Sequence, residues 1–247
     1  TDSEDLMIAA VVYDFIPLIF QDEYLLKLPR EAYMMRYLRG LDRLRSYDLL
    51  FMISDATRDD TARLLNFPEE RLVTIGTGVD DPALDCSGTA DDSVTLERFG
   101  LSAGRFLYTV GACDPRKNLV GLIEAFGRLP KNLAAPRKLA ITARLSAEER
   151  RPLVACAKRF GVADRLVVTG LVNDETLRSL YRSCELFVFP SLYEGFGLPI
   201  VEAMRHGAAV VAGRNSSQVE AAGEAALLVN NSDPSSIAEG IARLLND

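Results

Sequence analysis

One stretch, Leu186 to Met204, constrains the fold of this 247-residue chain more than any other. The apolar run Leu186–Phe189 predicts a parallel strand that is buried on both faces. Gly195 and Gly197 then allow a loop with little steric bulk, and Pro199 suits the first turn of a helix, where its missing N–H costs nothing. The stretch therefore predicts a strand, a glycine loop and a helix start in succession.

Such a helix start favours an oxygen-rich ligand. The first backbone N–H groups of a helix have no internal partner, and the helix dipole adds partial positive charge there. Glu194 lies in the predicted loop and Glu202 in the helix, and carboxylates accept hydrogen bonds from sugar hydroxyls. A site with N–H donors for a phosphate and carboxylate acceptors for hydroxyl groups fits a nucleotide sugar, which carries both kinds of group. The alternative is that Glu194 is a solvated loop residue and Glu202 a surface helix residue.

The run Glu194–Pro199, with Glu202 in a Glu-x7-Glu spacing, resembles the signature of the family-four retaining glycosyltransferases of the GT-B fold. This family includes the mannosyltransferases and glycogen synthases. The resemblance implies catalytic roles for Glu194, Lys117 and Arg116. It implies donor binding by Gly111, Arg116, Lys117, Leu171, Val172, Gly195, Phe196, Gly197, Leu198 and Glu202. No metal ligand is implied, because cations and a helix end would replace the metal.

Strands and helices alternate along the chain, which predicts an α/β fold with parallel sheets. We expect a partial N-terminal domain over 1–80, a linker over 81–100 and a complete Rossmann-like C-terminal domain over 101–247. Related enzymes have a full nucleotide-fold domain in the first position and usually a closing helix at the end. By that resemblance we expect a GT-B-type chain that is shortened at both ends; the alternative is a naturally minimal first domain.

The segment Gly111–Asn118 follows a predicted strand and is expected to open a helix. Arg116 and Lys117 there could neutralise a leaving diphosphate; alternatively they are a solvated pair. The segment resembles the family's Pro-Arg-Lys-Asn variant of its phosphate loop. Ala112 stands where many relatives have Arg, so Arg116 would substitute for it. By resemblance, the backbone after Gly170, at Leu171 and Val172, would receive the nucleobase.

Composition limits the class of partner and compartment. A net charge of −7, without a basic block, gives no reason to expect nucleic acid or an anionic membrane surface as partner. No apolar run approaches the ~18 residues of a membrane span. The four widely spaced cysteines fit a reducing cytoplasm, with Cys113 and Cys184 as core residues. Peripheral membrane contact through missing regions stays open. His206, before Gly207, is expected to cap a helix end.

Together these features predict a metal-independent retaining glycosyltransferase without a separate cofactor. Its donor would be a nucleotide-diphospho-sugar such as GDP-mannose or a UDP- or dTDP-sugar, and its acceptor a glycan or lipid-linked hydroxyl. The Pro-Arg-Lys-Asn variant favours mannosyl or rhamnosyl transfer in bacterial polysaccharide synthesis. One alternative is a fragment that binds the donor without turnover. A Rossmann oxidoreductase is disfavoured, because no G-x-G-x-x-G follows a predicted strand.

Overall fold

The computed structural model describes residues 6–26, 31–79, 92–112 and 114–246, and its strands form two parallel sheets. The strands are β1 (Ala9–Val12), β2 (Leu49–Met52), β3 (Leu72–Thr74), β4 (Phe106–Val110), β5 (Lys138–Thr142), β6 (Leu166–Val168), β7 (Leu186–Phe189), β8 (Ala209–Gly213) and β9 (Leu227–Val229). The α-helices are α1 (Ile16–Ile19), α2 (Glu31–Leu44), α3 (Asp55–Leu65), α4 (Asp92–Glu97), α5 (Leu119–Arg128), α6 (Lys131–Ala134), α7 (Ala147–Arg159), α8 (Asp174–Ser183), α9 (Leu198–Arg205), α10 (Gln218–Ala222) and α11 (Pro234–Asn246). One turn of π-helix covers Asp22–Leu26.

The chain divides into two compact units. The N-terminal unit comprises Thr1–Gly78 together with Glu194–Phe196, and the C-terminal unit comprises Val79–Tyr193 with Gly197–Asp247. In the N-terminal unit the three strands pair in the order β1-β2-β3. Its core lies on one face of that sheet, where Leu50 and Met52 of β2 are fully buried.

The C-terminal unit is built on a six-stranded sheet in the order β6-β5-β4-β7-β8-β9. Neighbouring strands run parallel, so each is joined to the next by a crossover, usually a helix. The order reverses between β4 and β7, which is the arrangement of doubly wound dinucleotide-binding folds. The prediction of a Rossmann-like parallel sheet in this part of the chain is confirmed.

Both faces of this sheet are covered, because its central strands are apolar without alternation. Leu186 and Val188 of β7 pack into one buried cluster, which also contains side chains of α5, α7 and α11. Phe187 and Phe189 point to the opposite face and pack with residues of α8, α9 and α10. Because successive side chains of a strand point to opposite faces of the sheet, one continuous apolar run contributes to two cores.

The structure also contains local elements that the sequence did not predict. The short helices α1, α6 and α10 were not predicted from the sequence. Of the predicted linker over 81–100, residues 81–91 lie outside the described part of the chain, whereas Asp92–Glu97 forms helix α4. That helix belongs to the C-terminal unit because Leu96 is buried and Asp92 forms an ion pair with Arg182 of α8. Cys184 is buried as predicted, and Cys113 lies outside the described residues.

Candidate functional site

The strand order of the C-terminal sheet places its crevice between β4 and β7. Ligands of open α/β sheets bind beyond the carboxyl ends of strands where the order reverses. The segments that leave β4 and β7 at this point are Gly111–Asn118 and Pro190–Gly197. Both contain residues that the sequence predicted as donor-binding residues.

The segment after β4 is a separate turn, not the start of a helix. Pro115–Lys117 forms a 3₁₀ turn, which Asp114 caps by accepting a hydrogen bond from the Arg116 backbone N–H at 3.0 Å. Asn118 then adopts a left-handed conformation with φ of 53° and ends the turn, so α5 begins only at Leu119. The segment therefore leads into α5 through a turn, and Arg116 and Lys117 stand directly before the helix.

Arg116 connects the two segments. Its side chain is buried, with Nη2 3.1 Å from Oδ2 of Asp114, and Nη1 donates a hydrogen bond to the carbonyl oxygen of Tyr193. Its own carbonyl oxygen accepts from the Leu192 backbone N–H at 2.7 Å and from Ser191 Oγ at 3.1 Å. These contacts fix residues 191–193 against the turn. The predicted contact of Arg116 with a diphosphate stays a prediction.

Lys117 is half-buried beside the carboxyl end of β7. Its Nζ lies 5.0 Å from the centroid of the Phe189 ring, which is the geometry of a cation–π contact. Lys117 therefore has the charge and the strand-end location that its predicted phosphate role requires.

Buried amide side chains provide further support that the sequence analysis missed. Gln218 Nε2 donates to the Ser191 carbonyl oxygen at 2.6 Å, and Asn231 Nδ2 donates to the same oxygen. Asn118 Nδ2 in turn donates to the Asn231 carbonyl oxygen at 2.7 Å. The sequence did contain a signal for this role: Gln218 and Asn231 each follow a strand of this sheet within a few residues, at the edge where the candidate site lies.

Helix α9 begins where the sequence predicted. Gly197 is its N-cap with φ of 106°, a conformation that side chains rarely adopt. A Cβ atom added there would lie 3.2 Å from Cδ1 of Ile200. Leu198, the first helical residue, is exposed. Pro199 has no N–H and the Ile200 N–H donates to the Gly197 carbonyl oxygen at 2.9 Å, so in the first turn of α9 the Leu198 N–H is the donor that could meet a ligand.

Glu202 lies one turn into α9 and is half-buried. Its Oε2 accepts a hydrogen bond from the Tyr181 hydroxyl at 2.9 Å, a contact that the sequence did not predict. Burial, and then the negative charge of Glu202, raise the pKa of Tyr181 far above its ordinary range. His206 Nδ1 lies 2.8 Å from the Glu202 carbonyl oxygen and His206 ends the helix, which confirms its predicted capping role.

Glu194 and Gly195 belong with the N-terminal unit. Glu194 is buried, which excludes a solvated loop residue. The Gly195 carbonyl oxygen accepts from Ser54 Oγ at 2.6 Å and from Thr57 Oγ1 at 3.2 Å. A Cβ atom at Gly195 would lie only 2.6 Å from the Tyr13 carbonyl oxygen, so the close approach requires glycine. Sugar binding by Glu194, and donor contacts by Gly195 and Phe196, stay predictions.

The predicted nucleobase segment lies at the outer strand of the same sheet. Gly170 follows β6 with φ of 78°. The next residue, Leu171, is 70% exposed, whereas Val172 is half-buried. Gly111, by contrast, continues the central strand β4, and its N–H donates to the Thr142 carbonyl oxygen at 3.0 Å. The structure brings Gly111, Arg116 and Lys117 beside residues 191–193 and puts Leu171 and Val172 two strands away.

In the ranges that the structure describes, no helix has the length and apolar character needed to cross a bilayer. Over the same ranges, no three His, Cys, Asp or Glu side chains are grouped closely enough to hold a metal ion.

Comparison with known proteins gives consistent matches. The family described as Glycosyl transferases group 1 matches residues 98–247. The serotype-specific mannosyltransferase WbdA of Escherichia coli is 29% identical over 238 residues, which cover 96% of this chain and 29% of the relative. The O-antigen chain mannosyltransferase B of Escherichia coli is 33% identical over 220 residues, covering 88% of this chain and 56% of the relative. The chain thus spans about a third to about half of the length of these curated relatives.

The fold has a solved counterpart. The crystal structure of Anabaena Alr3699/HepE in complex with UDP and glucose superposes with a TM-score of 0.78 at 20% sequence identity. The match covers 98% of this chain and 62% of that one. The predicted fold class, α/β of the GT-B type, is confirmed.

Proposed function

The chain belongs to the group 1 glycosyl transferases, and from that premise we propose that it transfers a hexosyl group from a nucleotide-diphospho-sugar to an acceptor hydroxyl. Mannosyl is favoured over rhamnosyl by the names of its mannosyltransferase relatives. The acceptor is a glycan or a lipid-linked glycan, in polysaccharide synthesis in the cytoplasm. GDP-mannose is the first donor to test, followed by UDP- and dTDP-sugars.

One observation carries the proposal: Arg116 joins the segments after β4 and β7 at the point where the strand order reverses. With these segments joined, the ammonium group of Lys117 and the start of α9 stand at the same edge of one sheet. A diphosphate needs such a combination of a cation and free N–H donors. The matched family region, residues 98–247, includes all of these groups.

In the proposed reaction the bond between the sugar and the diphosphate breaks, and negative charge develops on the departing phosphate. Lys117 and the Leu198 N–H at the start of α9 stabilise that charge, because they are already oriented when it develops. Arg116 acts mainly by holding the segments, since its guanidinium is bonded to Asp114 and Tyr193. Glu202 accepts the ribose hydroxyls, Glu194 accepts the sugar hydroxyls, and the backbone of Leu171 and Val172 receives the nucleobase.

The proposed stereochemistry is retention and requires no metal ion. The acceptor hydroxyl attacks on the face from which the diphosphate leaves. Its proton passes to an oxygen of the departing donor phosphate, so the new glycosidic bond and the protonated nucleoside diphosphate form together.

Calorimetric titration with GDP, UDP, dTDP and their sugars tests the proposal. Lys117→Ala should weaken nucleotide binding at least tenfold, because a hydrogen bond to a charged group contributes about 1.5–3 kcal/mol. The matched control is Lys158→Ala, an exposed lysine of α7, which should leave affinity unchanged. Arg116→Ala should instead lower the free energy of unfolding by about 2–4 kcal/mol, because Asp114 loses its buried partner. If wild type binds no nucleoside diphosphate at millimolar concentration, the donor site does not exist.

A second candidate, binding of the donor without turnover, follows from the length of the chain relative to its relatives. The residues proposed to bind the donor all lie in 98–247, the region that the family matches, whereas the relatives are up to about three times as long. Transfer and donor hydrolysis by this chain should be compared with those of a longer natural homologue. Donor binding with neither reaction would favour the second candidate, and measurable transfer would eliminate it.

A further inference from the structure

We propose that Tyr181 is a positioning residue for Glu202, fixing one oxygen of the carboxylate so that the other can accept hydroxyl groups of a bound nucleotide. The inference rests on the proposed function for the identity of the ligand. Its structural part, the coupling of the two side chains, is independent of any nucleotide. Sequence patterns alone do not single out Tyr181.

The Tyr181 ring is held on three sides. It is 1% exposed and packs edge-on against Tyr108, with ring centroids 5.3 Å apart, and against Phe187 at 5.2 Å. The His206 ring stacks on it at 5.6 Å. A side chain locked in this way brings its hydroxyl to one place, so the 2.9 Å hydrogen bond to Oε2 of Glu202 fixes the carboxylate orientation.

The direction of this hydrogen bond is set by chemistry. Burial and the nearby Glu202 charge keep the Tyr181 hydroxyl protonated, so it donates and the carboxylate accepts. In the described part of the chain no donor contacts Oε1 of Glu202. The half-buried carboxylate thus has one oxygen bonded to Tyr181 and a second oxygen that can accept from a ligand hydroxyl.

The main chain of Glu202 is fixed as well. Nδ1 of His206 lies 2.8 Å from the Glu202 carbonyl oxygen, so Nδ1 carries the proton in this contact. The same His206 ring stacks on Tyr181. Side chain and backbone of Glu202 are therefore held by two rings that contact each other.

A continuous aromatic row links Glu202 to Lys117. Tyr181 contacts Phe187, and Phe187 stacks on Phe189 with centroids 5.9 Å apart. Glu202 is bonded to the first ring, and the Lys117 ammonium lies over the last. The row places the proposed phosphate-binding cation and the proposed ribose-binding acid on one rigid support.

The ligand-dependent test uses Tyr181→Phe, which removes one oxygen and keeps the ring. We expect the Kd for the nucleoside diphosphate that wild type binds, GDP or UDP, to rise about tenfold. The Kd for its 2′,3′-dideoxy analogue should change less than twofold, because that analogue offers Glu202 no ribose hydroxyl. Tyr108→Phe is the matched control: its hydroxyl lies in the same cluster but bonds Thr142, and it should change neither Kd. Equal losses for both nucleotides, or no loss while Glu202→Ala weakens binding, would overturn the inference.

The ligand-free test is a denaturation cycle on Tyr181→Phe, Glu202→Ala and the double variant. We expect the effect of the double variant on the unfolding equilibrium constant to differ about tenfold from the product of the single effects. Additive effects would show that the hydrogen bond does not hold Glu202. If wild type binds no nucleotide, the proposed function fails, and this cycle still decides whether the two side chains are coupled.

Discussion

The two parallel sheets of this chain differ in what covers their faces. In the C-terminal unit, β7 is buried on both sides between two clusters. In the N-terminal unit one face of the sheet packs on its core, but the other carries Val11 and Val73, which are 48% and 40% exposed. These two residues align with Phe51 of the middle strand, so the exposed apolar side chains form a row across the sheet. Parallel sheets rarely leave an apolar face uncovered.

The two sheets also differ in strand order, and this difference locates the candidate site. The N-terminal order β1-β2-β3 follows the sequence without reversal in the residues described. The C-terminal order reverses between β4 and β7, and the segments that leave these strands separate into a crevice. Parallel strands therefore lead to the candidate ligand site in the C-terminal unit, whereas the described residues of the N-terminal unit show no such reversal.

The largest expected effect tests the difference in burial. Phe187→Ala removes a fully buried ring from the central strand β7 and should lower the stability of that sheet by about 3–5 kcal/mol. Val73→Thr, on the exposed face of the other sheet, should change stability by no more than about 0.5 kcal/mol. Native-state hydrogen exchange of peptides from each sheet measures both effects separately. A cost for Val73→Thr near that of Phe187→Ala would mean that the exposed face is covered in solution.

Local sequence signals predicted much of the fold. The bounds of β7 agree with prediction, because an uninterrupted apolar run specifies a buried strand without help from distant residues. Serine is a preferred residue directly before a helix, and Ser54 is the N-cap of α3. Helix starts are predictable in this way because a cap acts within three residues.

The contacts that shape the site depend on residues far apart in sequence, and sequence periodicity does not reveal them. Arg116 was predicted as a phosphate ligand because of its charge, yet it bonds the Tyr193 carbonyl 77 residues away. Tyr181 was not singled out, because a tyrosine in an amphipathic helix is usually a core residue. In both cases only the fold shows which polar atom the side chain meets.

The second-largest expected effect on stability comes from a comparison of one helix N-cap residue in each unit. Ser54 is fully buried; it caps α3, and its hydroxyl also donates to the Gly195 carbonyl oxygen. Ser146, by contrast, caps α7 at the exposed surface. Ser54→Ala should cost about 2 kcal/mol, because a cap and a buried hydrogen bond are lost together. Ser146→Ala should cost about 0.5–1 kcal/mol. Urea titration of both variants gives the difference, and equal costs would show that the Ser54–Gly195 contact contributes nothing.

The smallest expected effect tests where the C-terminal unit begins. Asp92, the first residue of α4, is held by Arg182 of α8, with Oδ1 2.8 Å from Nη2. This hydrogen bond lowers the pKa of Asp92 below its ordinary value. A lowered pKa in the folded state stabilises the protein above the unfolded pKa of about 4 and ceases to do so as pH falls through the folded value. Asp92→Asn should therefore lower stability by about 0.5 kcal/mol between pH 5 and 8, a small amount because both partners are partly exposed.

That difference between Asp92→Asn and wild type should shrink as the pH falls below about 4, because the wild-type carboxyl becomes protonated and loses its charge. Chemical denaturation at several pH values measures it, with Asp174→Asn at the start of α8 as a carboxylate control. A difference that persists unchanged to pH 2 would assign the effect to helix capping. A difference absent at every pH would detach α4 from the C-terminal unit and return residues 92–97 to the linker between the two sheets.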